Sequence, residues 1–137
     1  MSHDNGNQAR YYSKIEESKV HCSLCPHNCV IKPETTGACR ARKNIGGELF
    51  SLNYGKITSL ALDPIEKKPL NRFHPGSKIL STGTFGCNLK CSFCQNWTIA
   101  HEDAETLEIT PKALVQKALS LKTMGNIGIA YTYNEPS

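Results

Sequence analysis

Long apolar runs are missing from this chain of 137 residues. The longest stretches without a charged side chain, histidine counted as neutral, are Val20–Ile31 and Thr123–Asn134, twelve residues each. A membrane-spanning helix needs about twenty apolar residues, so none is expected. No secretory leader is expected either, because Met1–Arg10 is polar throughout. There are no internal repeats and no low-complexity tracts. With 39% hydrophobic and 20% charged residues, collagen, coiled coil and a wholly disordered chain are excluded. An excess of one charge sign is absent as well. A net charge of +4 permits an anionic partner without demanding one. The length allows one domain with a real core.

Cysteine is what the sequence does have, seven in all: Cys22, Cys25, Cys29, Cys39, Cys87, Cys91 and Cys94. An odd number, gaps of two and three residues and no leader argue against a disulfide framework. Cytosolic cysteines grouped this way usually bind metal, and a cytoplasmic protein is expected.

Residues 1–20 read as a polar lead-in, with a short helix over Gln8–Lys19. Residues 21–76 read as a Cys-rich knuckle, a hairpin and a Pro-rich connector. The knuckle, residues 21–45, is expected to be loop wrapped on a metal, neither helix nor strand. The hairpin joins Leu49–Leu52 to Lys56–Leu62 across Asn53-Tyr54-Gly55. Asp63–Gly76 holds three prolines, which forbid a regular helix or central strand. Residues 77–137 have the rhythm of a first βαβ unit. Lys78–Thr82 is a strand ending at Gly83, and a long loop with three cysteines follows it. An acidic stretch, Glu102, Asp103, Glu105 and Glu108, leads to a helix. Thr110 caps that helix, Pro111 opens it and Gly125 closes it. Ala113, Leu114, Ala118, Leu121 and Met124 share its apolar face. Ile127–Tyr133 is the second strand, parallel to the first.

The group Cys87-x3-Cys91-x2-Cys94 follows a strand, so it lies at the carboxyl edge of the sheet, where ligands of parallel sheets bind. Three close thiolates suit one face of a [4Fe–4S] cluster, which normally takes four cysteines. The iron left over is open to a small chelating molecule. Gly83 and Gly86 flank the turn and let backbone N–H groups approach the sulfurs. Zinc with His101 as fourth ligand is the competing reading. Cys22-x2-Cys25-x3-Cys29-x9-Cys39 has four thiolates and can close a coordination shell, with structural zinc and an auxiliary iron–sulfur cluster both open. His21 and His27 read as loop histidines. Arg40, Arg42 and Lys43 read as a solvated basic face. Tyr133-Asn134-Glu135-Pro136 follows the second strand, where Asn134 and Glu135 can accept N–H bonds from an amino acid moiety; the same residues can open a helix.

C-x3-C-x-aromatic-C after a strand resembles the radical S-adenosylmethionine (SAM) enzymes. Asp63–Leu70, Phe73-His74-Pro75-Gly76, Gly86-Cys87-Asn88, Cys94-Gln95-Asn96-Trp97 and Tyr131–Pro136 run in order. They resemble the branch related to pyruvate formate-lyase activating enzyme, and within it the AmmeMemoRadiSam-system enzymes. The resemblance implies an α/β fold, the start of a radical-SAM partial (β/α) barrel, preceded by a small Cys-rich metal knuckle and β-hairpin. It implies reductive cleavage of SAM to a 5′-deoxyadenosyl radical by a cluster on Cys87, Cys91 and Cys94. Phe93 would lie near the adenine, and Glu135, with Asn134, would hold the SAM amino group. An electron donor such as a flavodoxin or ferredoxin and a Memo-like partner protein are the implied partners. The substrate is left open, a protein or glycyl-radical-type target included. A full barrel needs more chain, so a truncated, inactive fragment is expected. The competing class is a non-enzymatic Cys-rich metal-binding module, zinc or iron–sulfur, for nucleic acid or protein. It leaves Cys87–Cys94 and Glu135 unexplained, so neither nucleic acid nor a membrane is an expected partner.

Overall fold

The computed structural model describes residues 7–70, 72–101 and 105–135. Of the acidic stretch, Glu102 and Asp103 lie outside these residues, as does Pro136.

Short antiparallel strands dominate the amino-terminal half. They are β1 (Asn7–Gln8), β2 (Tyr12–Lys14), β3 (Val20–Cys22), β4 (Val30–Ile31), β5 (Arg42–Ile45) and β6 (Glu48–Ser51). One sheet has the order β2-β3-β4, another the order β1-β6-β5. Val20, Cys22, Ile31 and Leu49 form their shared core, with Ala9, Tyr12, Leu24 and Cys29 packed around it. Asn44 is fully buried at the junction. Its Nδ2 donates to the carbonyls of Ser18 (2.8 Å) and Ile31 (2.9 Å), and its Oδ1 accepts from the Gly47 N–H (2.9 Å). A buried amide with its bonds made is tolerated, where an unsatisfied one would cost stability.

The chain then runs through β7 (Lys56–Ile57), β8 (Ser59–Pro64), β9 (Lys78–Gly83), α1 (Trp97–His101), β10 (Leu107–Glu108), α2 (Pro111–Ser120) and β11 (Asn126–Tyr131). β10 pairs with β7 antiparallel. The third three-stranded sheet has the order β11-β9-β8, with β8 antiparallel and β11 parallel to β9. Helix α2 begins as its sequence dictates: the Thr110 side chain accepts from the Ala113 N–H (3.1 Å), and Pro111 follows. Gly125, at φ 92°, ends the turn after the helix. Leu114 and Ala118 pack on Leu80, flanked by Ile109, Leu121 and Ile129. Buried Asn126 joins the layers, accepting from the Leu80 N–H and donating to the Ala118 carbonyl, each at 2.9 Å.

The expected fold class is overturned. Among the described residues there is one strand–helix–strand unit with one parallel pair, set among small antiparallel sheets, and no partial (β/α) barrel. The metal knuckle is overturned as well. Residues 21–45 carry β3, β4 and β5 in place of a structureless wrap, and no group of three or more His, Cys, Asp or Glu side chains stands ready to hold a metal among the described residues. The tertiary reason is that Cys22 is drawn into the apolar core beside Val20 and Ile31.

Two further expectations differ. The stretch Gln8–Lys19 holds β2 in place of a helix, because Tyr11, Glu17 and Ser18 take positive φ and Tyr12–Lys14 pairs with Val20–Cys22. The hairpin sits one strand earlier than expected. β6 pairs with β5 across Gly46-Gly47, whose φ values of 60° and 85° suit a tight two-residue turn. Strand β8 pairs with β9 instead, and it reaches through Asp63 to Pro64.

Candidate functional site

The parallel strands β9 and β11 end side by side, with Tyr131 opposite Thr82 and the Thr132 N–H donating to the Thr82 carbonyl at 2.9 Å. The segments that leave them are therefore brought together. After β9, the Thr84 hydroxyl donates to the Lys56 carbonyl (2.7 Å), and Asn53 Nδ2 donates to the Phe85 carbonyl (3.2 Å). Gly86 has φ 84°, and a Cβ there would lie 2.6 Å from the Cys39 carbonyl oxygen. Only glycine fits that backbone and that close approach. The next residue, Cys87, is 8% exposed, and its N–H donates to the same Cys39 carbonyl at 3.2 Å.

Asn134 closes the site from the other strand. Its Nδ2 donates to the Gly86 carbonyl (2.6 Å), and its Oδ1 accepts from the Thr84 N–H (3.4 Å). The Glu135 N–H then donates to Cys87 Sγ at 3.4 Å. Cys91 and Cys94 are half-buried, in a turn closed by the Cys94 N–H to the Cys91 carbonyl (3.2 Å). Phe93 is 84% exposed. Asn134, Glu135 and Cys87 are thus in contact, while Cys91 and Cys94 stand apart from any preformed metal-binding group.

The amino-terminal thiols lie elsewhere. Cys22, Cys25, Cys29 and Cys39 line one cavity of about 20 Å³ with His27, Arg42 and Asn88. Cys25 Sγ is 3.6 Å from His27 Nδ1. Burial pushes the Cys22 thiol up, outweighing a backbone donor at Leu24 and the nearby Arg42. The Cys87 N–H bond to the Cys39 carbonyl is where the two cysteine segments meet.

One cluster escaped the sequence reading. Asp63, at the end of β8, is buried, and its carboxylate accepts from Tyr133 Oη (2.8 Å). Lys68 Nζ lies 3.1 Å and Lys67 Nζ 3.2 Å from the same carboxylate. Lys68 also sits over the Tyr133 ring, 4.6 Å from its centroid. Burial would raise the Asp63 pKa, but the Tyr133, Lys68 and Lys67 donors outweigh it and hold it well below the usual carboxylate range. Asp63 and Tyr133 are 70 positions apart, so no local pattern could have found the pair.

The chain is 43% identical over 133 residues to the Methanocaldococcus jannaschii protein MJ0808. That alignment covers 95% of this chain and 39% of MJ0808, so the chain spans about two fifths of its relative. No family model matches. No solved structure matches. Among the described residues no helix is long and apolar enough to cross a membrane.

Proposed function

We propose that this chain carries the cluster-binding and SAM-binding segment of a radical SAM enzyme, an activating-enzyme-like oxidoreductase. The observation that carries the reading is the contact between the ends of β9 and β11, with the Glu135 N–H on Cys87 Sγ. It sets a C-x3-C-x2-C group against the residues expected to hold an amino acid moiety, at the carboxyl edge of a parallel strand pair.

The donor set suits the group in kind: three thiolates at one loop, with Cys87 anchored and Cys91 and Cys94 in a turn beside it. Among the described residues the three side chains form no ready metal-holding group, so loading would have to draw Cys91 and Cys94 toward Cys87. Cys87, Cys91 and Cys94 would hold a [4Fe–4S] cluster, leaving one iron for the amine and carboxylate of SAM. A cluster and SAM held there would supply 5′-deoxyadenosyl radical chemistry, given one electron from a donor such as a flavodoxin or ferredoxin. Glu135 would accept from the SAM amino group, and Asn134 holds the loop that carries Cys87 through its bonds to Gly86 and Thr84. The exposed Phe93 ring is free to lie on the adenine. The substrate class consistent with this reading is a protein or glycyl-radical-type target, a Memo-like protein is a candidate partner, and the setting is the cytoplasm.

Anaerobic reconstitution with iron and sulfide tests the proposal. About four irons per chain are expected, with a cluster signal that changes when SAM is added. Replacing Cys87, Cys91 and Cys94 with Ala should abolish that signal. A SAM-responsive cluster that survives the triple change overturns the reading.

A further inference from the structure

Tyr133 is the strained residue of the site. Its φ is 77°, a left-handed conformation that an aromatic side chain rarely adopts. Such strain persists only where surrounding contacts over-determine it. Here they do: the Tyr133 hydroxyl donates to Asp63, which is itself held by Lys67 and Lys68, and Lys68 covers the ring. The backbone turn at Tyr133 brings Asn134 onto Thr84 and Gly86, and brings the Glu135 N–H onto Cys87 Sγ. On the facing strand a Cβ at Gly83 would meet the Tyr133 ring and the Thr132 carbonyl, each at 3.1 Å, so the strand end leaves room for this turn.

We propose that Tyr133 and Asn134 are positioning residues for Cys87, locked by Asp63 and Lys68, and that they act by holding the Glu135 backbone N–H on the Cys87 sulfur. This deepens the proposed function and rests on it only where the sulfur becomes a cluster ligand. An N–H dipole directed at a ligand sulfur stabilises the more negative, reduced cluster and so raises its potential. The role belongs to the Glu135 main chain, which separates it from any role of the Glu135 carboxylate toward SAM.

Two measurements test this. The first uses the metal-free chain: alkylation by iodoacetamide, with each cysteine followed by peptide mass spectrometry. Cys87 should react more slowly than Cys91 and Cys94. Tyr133→Phe and Asn134→Ala should speed Cys87 several-fold and leave buried Cys22 at its original rate. An unchanged Cys87 rate in both variants overturns the proposal, and so does an equal rise at Cys22, which would report loosening of the whole fold. The second measures the midpoint potential of the reconstituted cluster. Glu135→Pro, which removes both the carboxylate and the N–H, should lower it relative to Glu135→Ala, which removes the same carboxylate and keeps the N–H. Equal potentials in both variants overturn the electrostatic part. If the unaltered chain takes up no cluster, the radical SAM reading fails, and the alkylation rates still decide the positioning of Cys87.

Discussion

Cys22 and Cys87 are equally buried, each 8% exposed, yet the molecule prepares them differently. Cys22 lies on β3 in an apolar cluster with Val20, Ile31 and Leu49. Its backbone donor, Leu24, is two residues away, and burial dominates, favouring the neutral thiol. Cys87 lies on a loop, and its sulfur faces an N–H from Glu135, which arrives from the end of another strand. The first region is built from antiparallel pairs, most of them between neighbouring strands, with β1 returning to pair with β6. The second depends on a parallel pair, which only a long connection can join. Equal burial therefore does not mean equal surroundings: Cys22 takes its backbone donor from two residues away, Cys87 from a segment 48 positions away.

The sharpest way to break this comparison is to hollow each core in turn. Leu80→Ala and Leu49→Ala remove fully buried side chains, one from each region, and each should cost about 4 kcal/mol. The Gly86–Cys39 approach and the Cys87 N–H bond join the regions, so both variants should lower a single calorimetric transition. Two separate transitions would show that the regions fold independently.

A smaller effect is expected at the lock beneath the site. Asp63→Asn leaves the nearly buried Lys68 without its counter-charge, at a cost of about 3 kcal/mol. The Asp63 pKa is depressed in the folded protein, so its contribution is present above the unfolded value of about 3.9 and is lost as pH falls toward the folded value. Chemical denaturation between pH 5 and pH 2, both rough bounds on that window, should show stability falling with acid in the parent and a flatter limb in Asp63→Asn. Identical slopes would remove Asp63 from the account.

The smallest effect sharpens the local side of the comparison. Thr110→Ala removes the cap of α2 and should cost about 1 kcal/mol. Hydrogen exchange should report the largest loss in the first turn of α2, with protection at Val20 and Leu49 falling by no more than the global loss of about 1 kcal/mol.

Much of the second region was legible in the sequence. Strand β9, the Thr110 cap, Pro111, the Leu114 and Ala118 face of α2 and the parallel partner β11 were readable, because each is set by neighbours a few positions apart. The helix expected to run to Gly125 ends at Ser120 instead, and Met124 lies exposed in the short 3-10 turn that Gly125 closes. The first region was read poorly. Its cysteine spacing suggested loop on metal, whereas Val20, Cys22 and Ile31 had an alternative in pairing as strands and burying apolar surface. The Gly46-Gly47 turn carried a local signal for the β5–β6 hairpin that the cysteine pattern overshadowed.

By itself the sequence determined the chemistry available to this protein: seven thiols in two spacings, a capped helix between two strands, and a carboxylate and an amide after the second strand. Such features depend on spacing along the chain and on the intrinsic preferences of Thr, Pro and Gly. Only the tertiary structure decided which thiol met which partner. The Asp63–Tyr133 bond spans 70 positions, and the bonds from Asn134 to Gly86 and from Glu135 to Cys87 each span 48. Contacts at that range become favourable only after the intervening chain has given up its loop entropy to the two cores, so they are properties of the folded whole.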